Sequence, residues 1–144
     1  MRALLDVNVL IALFDQHHIF HERAHLWLEA NAAAGIATCA ITENGVVRII
    51  SHPKYSRAFL LTPGDVIERL GGFCEAQDHE FWPDDVSLRD TGVFQTDRIL
   101  GTRQLPDIYL LGLAVSRGGR LVTFDEGITI KAVRNAKAEH LMVI

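Results

Sequence analysis

The chain has 144 residues, 49% of them hydrophobic and 22% charged, the balance of an ordinary globular domain and too apolar for a disordered chain. Its 14 Lys and Arg against 18 Asp and Glu leave a formal charge of −4, so no chain-wide basic field draws in nucleic acid. The two cysteines, Cys39 and Cys74, fit no zinc or redox spacing and are expected to be buried thiols in a reducing cytoplasm.

The first five residues begin like a secretory leader, but Asp6, Asn8 and Asp15 interrupt the apolar run and no small-residue cleavage site follows. No stretch approaches the roughly 20 apolar residues of a membrane span. A cytoplasmic protein without a membrane segment is expected.

In chain order, residues 3–5 form a short apolar run closed by Asp6. Phe20, Ala24, Trp27, Leu28 and Ala32 then recur at helical spacing over residues 18–34, and Gly35 ends the pattern. Residues 36–41 read as a strand, and Thr42 as the N-cap of a helix over 43–50 that His52-Pro53 ends. Thr62-Pro63 opens a helix with proline where its missing N–H costs nothing; it continues through 66–77, weakened by Gly71-Gly72. Residues 79–82 suggest a strand bounded by Pro83. Pro106 starts a helix reaching Ser116, Gly118-Gly119 ends it, and a strand at 121–124 is closed by Asp125. A last helix near 128–136 and a strand at 141–144 complete the chain. Apolar strands separated by helices imply right-handed crossovers and a mainly parallel sheet covered on both faces, a single α/β domain over residues 1–144.

Two of these strands end in aspartate, Asp6 and Asp125. In an open parallel sheet the strand C-termini line one edge, where ligands bind. Glu43 and Asp107 each open a helix at that same edge. Singly, each acid has an ordinary explanation as a turn residue, a cap or a partner of the helix dipole. Four carboxylates together would repel unless a cation or protons neutralise them. Oxygen-only donors suit a hard ion such as Mg²⁺ or Mn²⁺, and such a site suits phosphodiester hydrolysis by metal-activated water.

Around these acids the chain closely resembles the PIN-domain ribonucleases, and among them the VapC toxins of toxin–antitoxin pairs. The resemblance rests on LLDVNVLIAL at 4–13, ITENGVVRII at 41–50, PDIYLLGLA at 106–114 and LVTFDEG at 121–127, with RIISHPKY at 48–55 and HEFWPDDVSL at 79–88 resembling one subgroup. It implies a three-layer α/β/α PIN-like fold with a central mainly parallel sheet, Mg²⁺- or Mn²⁺-dependent endoribonuclease activity leaving 5′-phosphate and 3′-hydroxyl ends, a VapB-like antitoxin partner and a homodimer. Residue by residue, it carries the catalytic and metal-binding acids onto Asp6, Glu43, Asp107 and Asp125, and flanking polar positions onto Asn8 and Thr123. The chain departs from the subgroup at Thr102, Pro106 and Ile108; a hydroxyl near the metal is lost at 106 and bulk beside it is expected from Ile108. The alternative function is a non-cleaving PIN-fold module that binds RNA or a protein partner. A haloacid-dehalogenase-like phosphatase would need aspartate where Asn8 stands.

Other features read more plainly. His17, His18, His21 and His25 lack the glutamate and third ligand of a zinc helix. Asp84, Asp85, Asp90 and Asp97 suit a solvated face. Arg48, Lys54 and Arg57 make a local basic patch after Glu43 and, with Arg103 beside Asp107, are the candidates for RNA phosphate contacts. The stripe Phe20, Ala24, Trp27 and Leu28 suits either core packing or a groove for a partner helix. Trp27, Phe59 and Phe81 suit core packing better than base stacking.

Overall fold

The chain leaves strand β1 (Ala3–Leu5) at Asp6, whose Oδ1 accepts the Val7 N–H at 2.7 Å and caps helix α1 (Val7–Phe14). This computed structural model describes residues 1–144. Helix α1 has no counterpart in the sequence expectations. Six consecutive residues, Val9 to Phe14, are buried, and a helix apolar all round has no polar face to reveal its period.

Helix α2 (His21–Asn31) follows, extended by a 3₁₀ turn at Ala32–Ala34. Gly35 turns the chain into β2 (Ile36–Cys39) at φ +81°, with the Arg2 guanidinium where a Cβ would stand. Helix α3 (Ala40–Ile50) begins three residues earlier than expected. Cys39, not Thr42, holds the N-cap position. The Thr42 hydroxyl lies inside the first turn, accepting the Cys39 N–H at 3.0 Å and donating to the Cys39 carbonyl at 3.1 Å. Helix α4 (Pro63–Glu75) has a reciprocal cap: Thr62 Oγ1 accepts the Asp65 N–H and Asp65 Oδ2 accepts the Thr62 N–H. Strand β3 (His79–Trp82), helix α5 (Leu105–Ser116), strand β4 (Arg120–Thr123) and strand β5 (Leu141–Val143) complete the regular elements.

All five strands are parallel, in the order β3-β2-β1-β4-β5. Side-chain alternation then builds two cores. Leu5, Ile36 and Val122 pack with α1, α2, α3 and α4 on one face, while Leu4, Ala37 and Leu121 pack with α5 on the other. The result is the expected three-layer α/β/α arrangement. On the α5 face the Phe94 ring lies where a Cβ on Gly112 would project and is stacked at 6.3 Å on Tyr109, so the helix needs glycine there.

The final helix expected near 128–136 is absent. Only a 3₁₀ turn at Ile130–Ala132 forms. Beyond it Val133 bridges Phe94 in antiparallel fashion, Arg134 N–H donates to the Val93 carbonyl, and Asn135 takes φ +62°. Pairing with a distant loop outweighs the local helical pattern. The stripe on α2 is core rather than groove: Ala24 and Leu28 are buried, and Phe20 and Trp27 pack against them. Phe81, expected inside, is 50% exposed on the edge strand.

Candidate active site

Chain order runs outward from β1 to β2 and β3, then returns to β4 on the other side of β1. The C-terminal edge between β1 and β4 is therefore a topological switch point, where open α/β sheets bind ligands. Asp6 stands there, its N–H donating to the Val122 carbonyl at 3.0 Å. It is only 4% exposed. The Thr123 hydroxyl, at the end of β4, donates to Asp6 Oδ2 at 2.7 Å and accepts the Asp125 N–H at 3.0 Å. Asp125 in turn accepts the Gly127 N–H at 2.7 Å, which folds the loop after β4 into a tight turn. One buried hydroxyl thus orients two acids 119 positions apart.

Asp107 reaches the same edge from the first turn of α5. Burial, the charges of Asp6 and Asp125, and a hydrogen-bonding contact with Asp125 push its carboxyl up to about 6. Burial, reinforced by the Asp125 charge, also raises Asp6 despite its two hydrogen bonds. A crowded set of hard oxygen donors, two of them reluctant to ionise together, fits a divalent ion of the Mg²⁺ or Mn²⁺ type.

Glu43, in the first turn of α3, has a different hydrogen-bond partner. The Thr38 hydroxyl donates to Glu43 Oε1 at 2.7 Å, and His79 Nε2 lies 2.8 Å from the same hydroxyl oxygen. With that proton given to Glu43, the His79 Nε2–H donates to Thr38. The Glu43 charge acts on His79 and Cys74, whereas Asp6 and Asp125 act on Asp107. Cys74 is half-buried, not enclosed as Cys39 is. Asn8 is exposed in the first turn of α1 and forms no side-chain hydrogen bond to the three aspartates.

Other expected features find different places. Ile108 is fully buried in the α5 core, so it adds no bulk at the acids; Pro106 is exposed. His21 Nδ1–H donates to the Ala12 carbonyl and His25 Nε2–H to the Leu13 carbonyl; these histidines cap the C-terminal end of α1. Asp84 is not merely solvated, because its Oδ2 accepts the Ile41 N–H at the start of α3. Asp85 pairs with Arg117 at 2.8 Å. Arg48, Lys54, Arg57 and Arg103 are all exposed. Arg48 lines a cleft of about 580 Å³ between α3 and α4, and Arg103 lies in the turn leading into α5. Thr38, which donates to Glu43, was not among the expected residues; a threonine among the buried β2 side chains was its one sequence signal.

The PIN-domain family model matches residues 3–134. Ribonuclease VapC44 of Mycobacterium tuberculosis is 44% identical over 144 residues, spanning all of both chains. The chain belongs to the PIN-domain family, in its VapC branch. Ribonuclease VapC38 of the same organism is 44% identical over 94% of this PIN chain and 93% of its own length. Among solved structures, a chain of VapBC2 from Rickettsia felis, bound to a DNA fragment from their promoter, superposes with a TM-score of 0.57. That match has 18% identity and covers 88% of this chain and 90% of the other, so it speaks to the PIN fold. PIN nucleases as a class depend on divalent metal. No helix is long and apolar enough to cross a membrane.

The raised carboxyls of this PIN domain set a pH dependence. Between the ordinary carboxyl value near 3.8 and about 6, the folded chain binds more protons at Asp107 than the unfolded chain does. This contribution to metal-free stability is therefore fully present below that window and is lost as pH rises through it. Thermal melts in EDTA from pH 4 to 7 should show a more positive dependence of stability on pH in Asp107→Asn than in wild type. Identical slopes would show that Asp107 titrates normally.

Proposed function

We propose that this chain is the endoribonuclease toxin of a VapBC-type pair, with Asp6, Asp107 and Asp125 holding Mg²⁺ or Mn²⁺. The observation that carries this reading is the meeting of the three carboxylates at the β1–β4 switch point, with Asp107 pushed up to about 6 by burial and by the charges of Asp6 and Asp125. The ribonuclease names of its full-length relatives support it. A bound divalent ion supplies a water of lowered pKa and neutralises charge at the phosphoryl group. Asp6, locked between the Val7 N–H and the Thr123 hydroxyl, fixes one donor in a rigid, buried position. Asp125, held by the Gly127 N–H, fixes a second. Asp107, from the first turn of α5, would supply the third donor, and a bound cation would favour its ionised form. Arg48, Lys54, Arg57 and Arg103 are placed to bind RNA phosphates around this edge. Glu43, held through Oε1 by the Thr38 hydroxyl, is the fourth acid of the assignment, and Asn8 its flanking polar residue on α1.

The antitoxin fits a different surface from the α2 stripe. Ile41, Val86, Leu88, Leu105, Pro106 and Tyr109 line an apolar cleft of about 590 Å³ that adjoins Asp107 in sequence and on α5. An apolar anchor from a VapB-like segment would seat there, and a basic side chain beside it would reach the carboxylates. The test is brief induction in cells with RNA-end mapping, repeated with the product of the adjacent upstream gene. New 5′-phosphate ends should appear within minutes, vanish on co-expression and depend on Mg²⁺ or Mn²⁺ with the purified protein. RNA that is bound but never cut would make the chain a non-cleaving module. Cleavage that no neighbouring product suppresses would remove the antitoxin from the proposal.

A further inference from the structure

Four polar side chains are buried in this fold: Asp6, Thr38, Thr42 and Thr123. Thr42 spends its hydroxyl on the backbone at the start of α3, and Thr123 donates to Asp6 Oδ2 from the end of β4. Thr38, 0% exposed on β2, makes a matching bond: its hydroxyl donates to Glu43 Oε1 at 2.7 Å, and His79 Nε2 stands 2.8 Å behind the same oxygen. We propose that Thr38 and His79 are positioning residues that hold the Glu43 carboxylate for metal-dependent cleavage. The inference rests on Glu43 being the fourth acid of the ribonuclease site.

Packing alone gives no reason for threonine at this point of β2. Valine has nearly the same shape, suits a strand and leaves no polar group to satisfy in the core. The hydroxyl is instead used from both sides. Its one proton goes to Glu43, and a lone pair accepts the His79 Nε2–H, which fixes the rotor. Strand pairing supplies the second anchor. Ile36 lies opposite His79 in the parallel β2–β3 register, so Thr38, two residues further along β2, projects from the same face as His79. Glu43 is a flexible, half-buried side chain at the α3–α4 cleft, and it enters no ion pair. The Thr38 hydroxyl is what orients it. With Oε1 held, Oε2 is the oxygen left to the metal centre.

The sheet order β2-β1-β4 puts Thr38 and Thr123 on the strands either side of β1. Each threonine orients one acid through a neutral donor. A Lys or Arg in that role would cancel the carboxylate charge that attracts a cation, whereas a hydroxyl fixes direction and leaves the charge in place.

The test uses the full chain with two readouts: Mn²⁺ binding without RNA, followed by electron paramagnetic resonance, and RNA cleavage against Mn²⁺ concentration. Thr38→Val should stay folded by circular dichroism, yet bind Mn²⁺ and cleave at least about tenfold less well, with the KM for RNA unchanged. Thr38→Ser keeps the hydroxyl and should recover most of both. In a Glu43→Ala background Thr38→Val should add no further loss, because the group it orients is already gone, whereas a general structural defect would add in full. If Thr38→Val unfolds, His79→Leu decides from the edge strand, with an expected loss of about threefold or more in both readouts. Unchanged binding and cleavage in Thr38→Val, additive loss in the double variant, or no recovery in Thr38→Ser overturns the proposal. Binding and cleavage intact in Glu43→Ala overturns it together with the place of Glu43 in the site. If wild type binds Mn²⁺ but cuts no RNA, the ribonuclease reading fails and the binding arm alone decides whether Thr38 orients Glu43.

Discussion

Asp6→Asn should lower the RNA cleavage rate by about 10³-fold or more while the domain stays folded. A metal-ion centre supplies several kcal/mol of transition-state stabilisation, and each ~1.4 kcal/mol is tenfold in rate. The fold should survive because asparagine keeps an oxygen to accept the Val7 N–H that caps α1, and its amide can donate to the Thr123 oxygen. The change also removes a buried negative charge facing Asp107 and Asp125. Metal-free melting temperature should therefore hold or rise, and the Asp107 carboxyl should fall towards its ordinary value. Asp97→Asn is the control. Its side chain is 83% exposed and lies only loosely beside Arg98 at 4.0 Å, so cleavage and stability should match wild type. Full activity in Asp6→Asn would falsify the metal-site assignment.

Ile108→Ala should destabilise the domain by about 2–5 kcal/mol, the range for emptying a large aliphatic core position. Ile108 is fully buried, sharing the α5-side core with Leu4, Leu111 and Leu121. Small domains have only about 5–15 kcal/mol in total, so the loss would be visible at once in urea unfolding, as a lower midpoint with an unchanged slope. The family pattern reads alanine here, and the local sequence places position 108 next to Asp107, one of the proposed metal-binding acids. Yet adjacent helical residues point about 100° apart: Asp107 faces the sheet edge and Ile108 faces the core. Pro106→Thr, at an exposed first-turn position, should change stability little by comparison. If Ile108→Ala costs less than about 1 kcal/mol and speeds cleavage, the residue crowds the acids after all and the packing account fails.

Much of this protein was legible before any coordinates. Apolar runs at β1, β2, β4 and β5, separated by capped helices, imply a parallel α/β sheet, because each signal is local: a turn residue, a proline, a period. Asp6, Asp107 and Asp125 were legible for the same reason, each closing or opening an element at an edge that parallel topology makes common. Three things were decided only by tertiary structure. Helix α1 is buried over six consecutive residues, Val9 to Phe14, so its sequence carries no amphipathic period. The segment after Asp125 pairs with Phe94 instead of coiling, because a distant partner satisfies its backbone better than its own turns do. And Glu43, the fourth residue of a helix that the sequence expectation began three residues too late, accepts the hydroxyl proton of Thr38 on strand β2. Which element a residue sits on is a matter of neighbours in the chain. Which way its side chain faces depends on the helix's starting residue and on packing partners remote in sequence, and those exist only once the chain has folded.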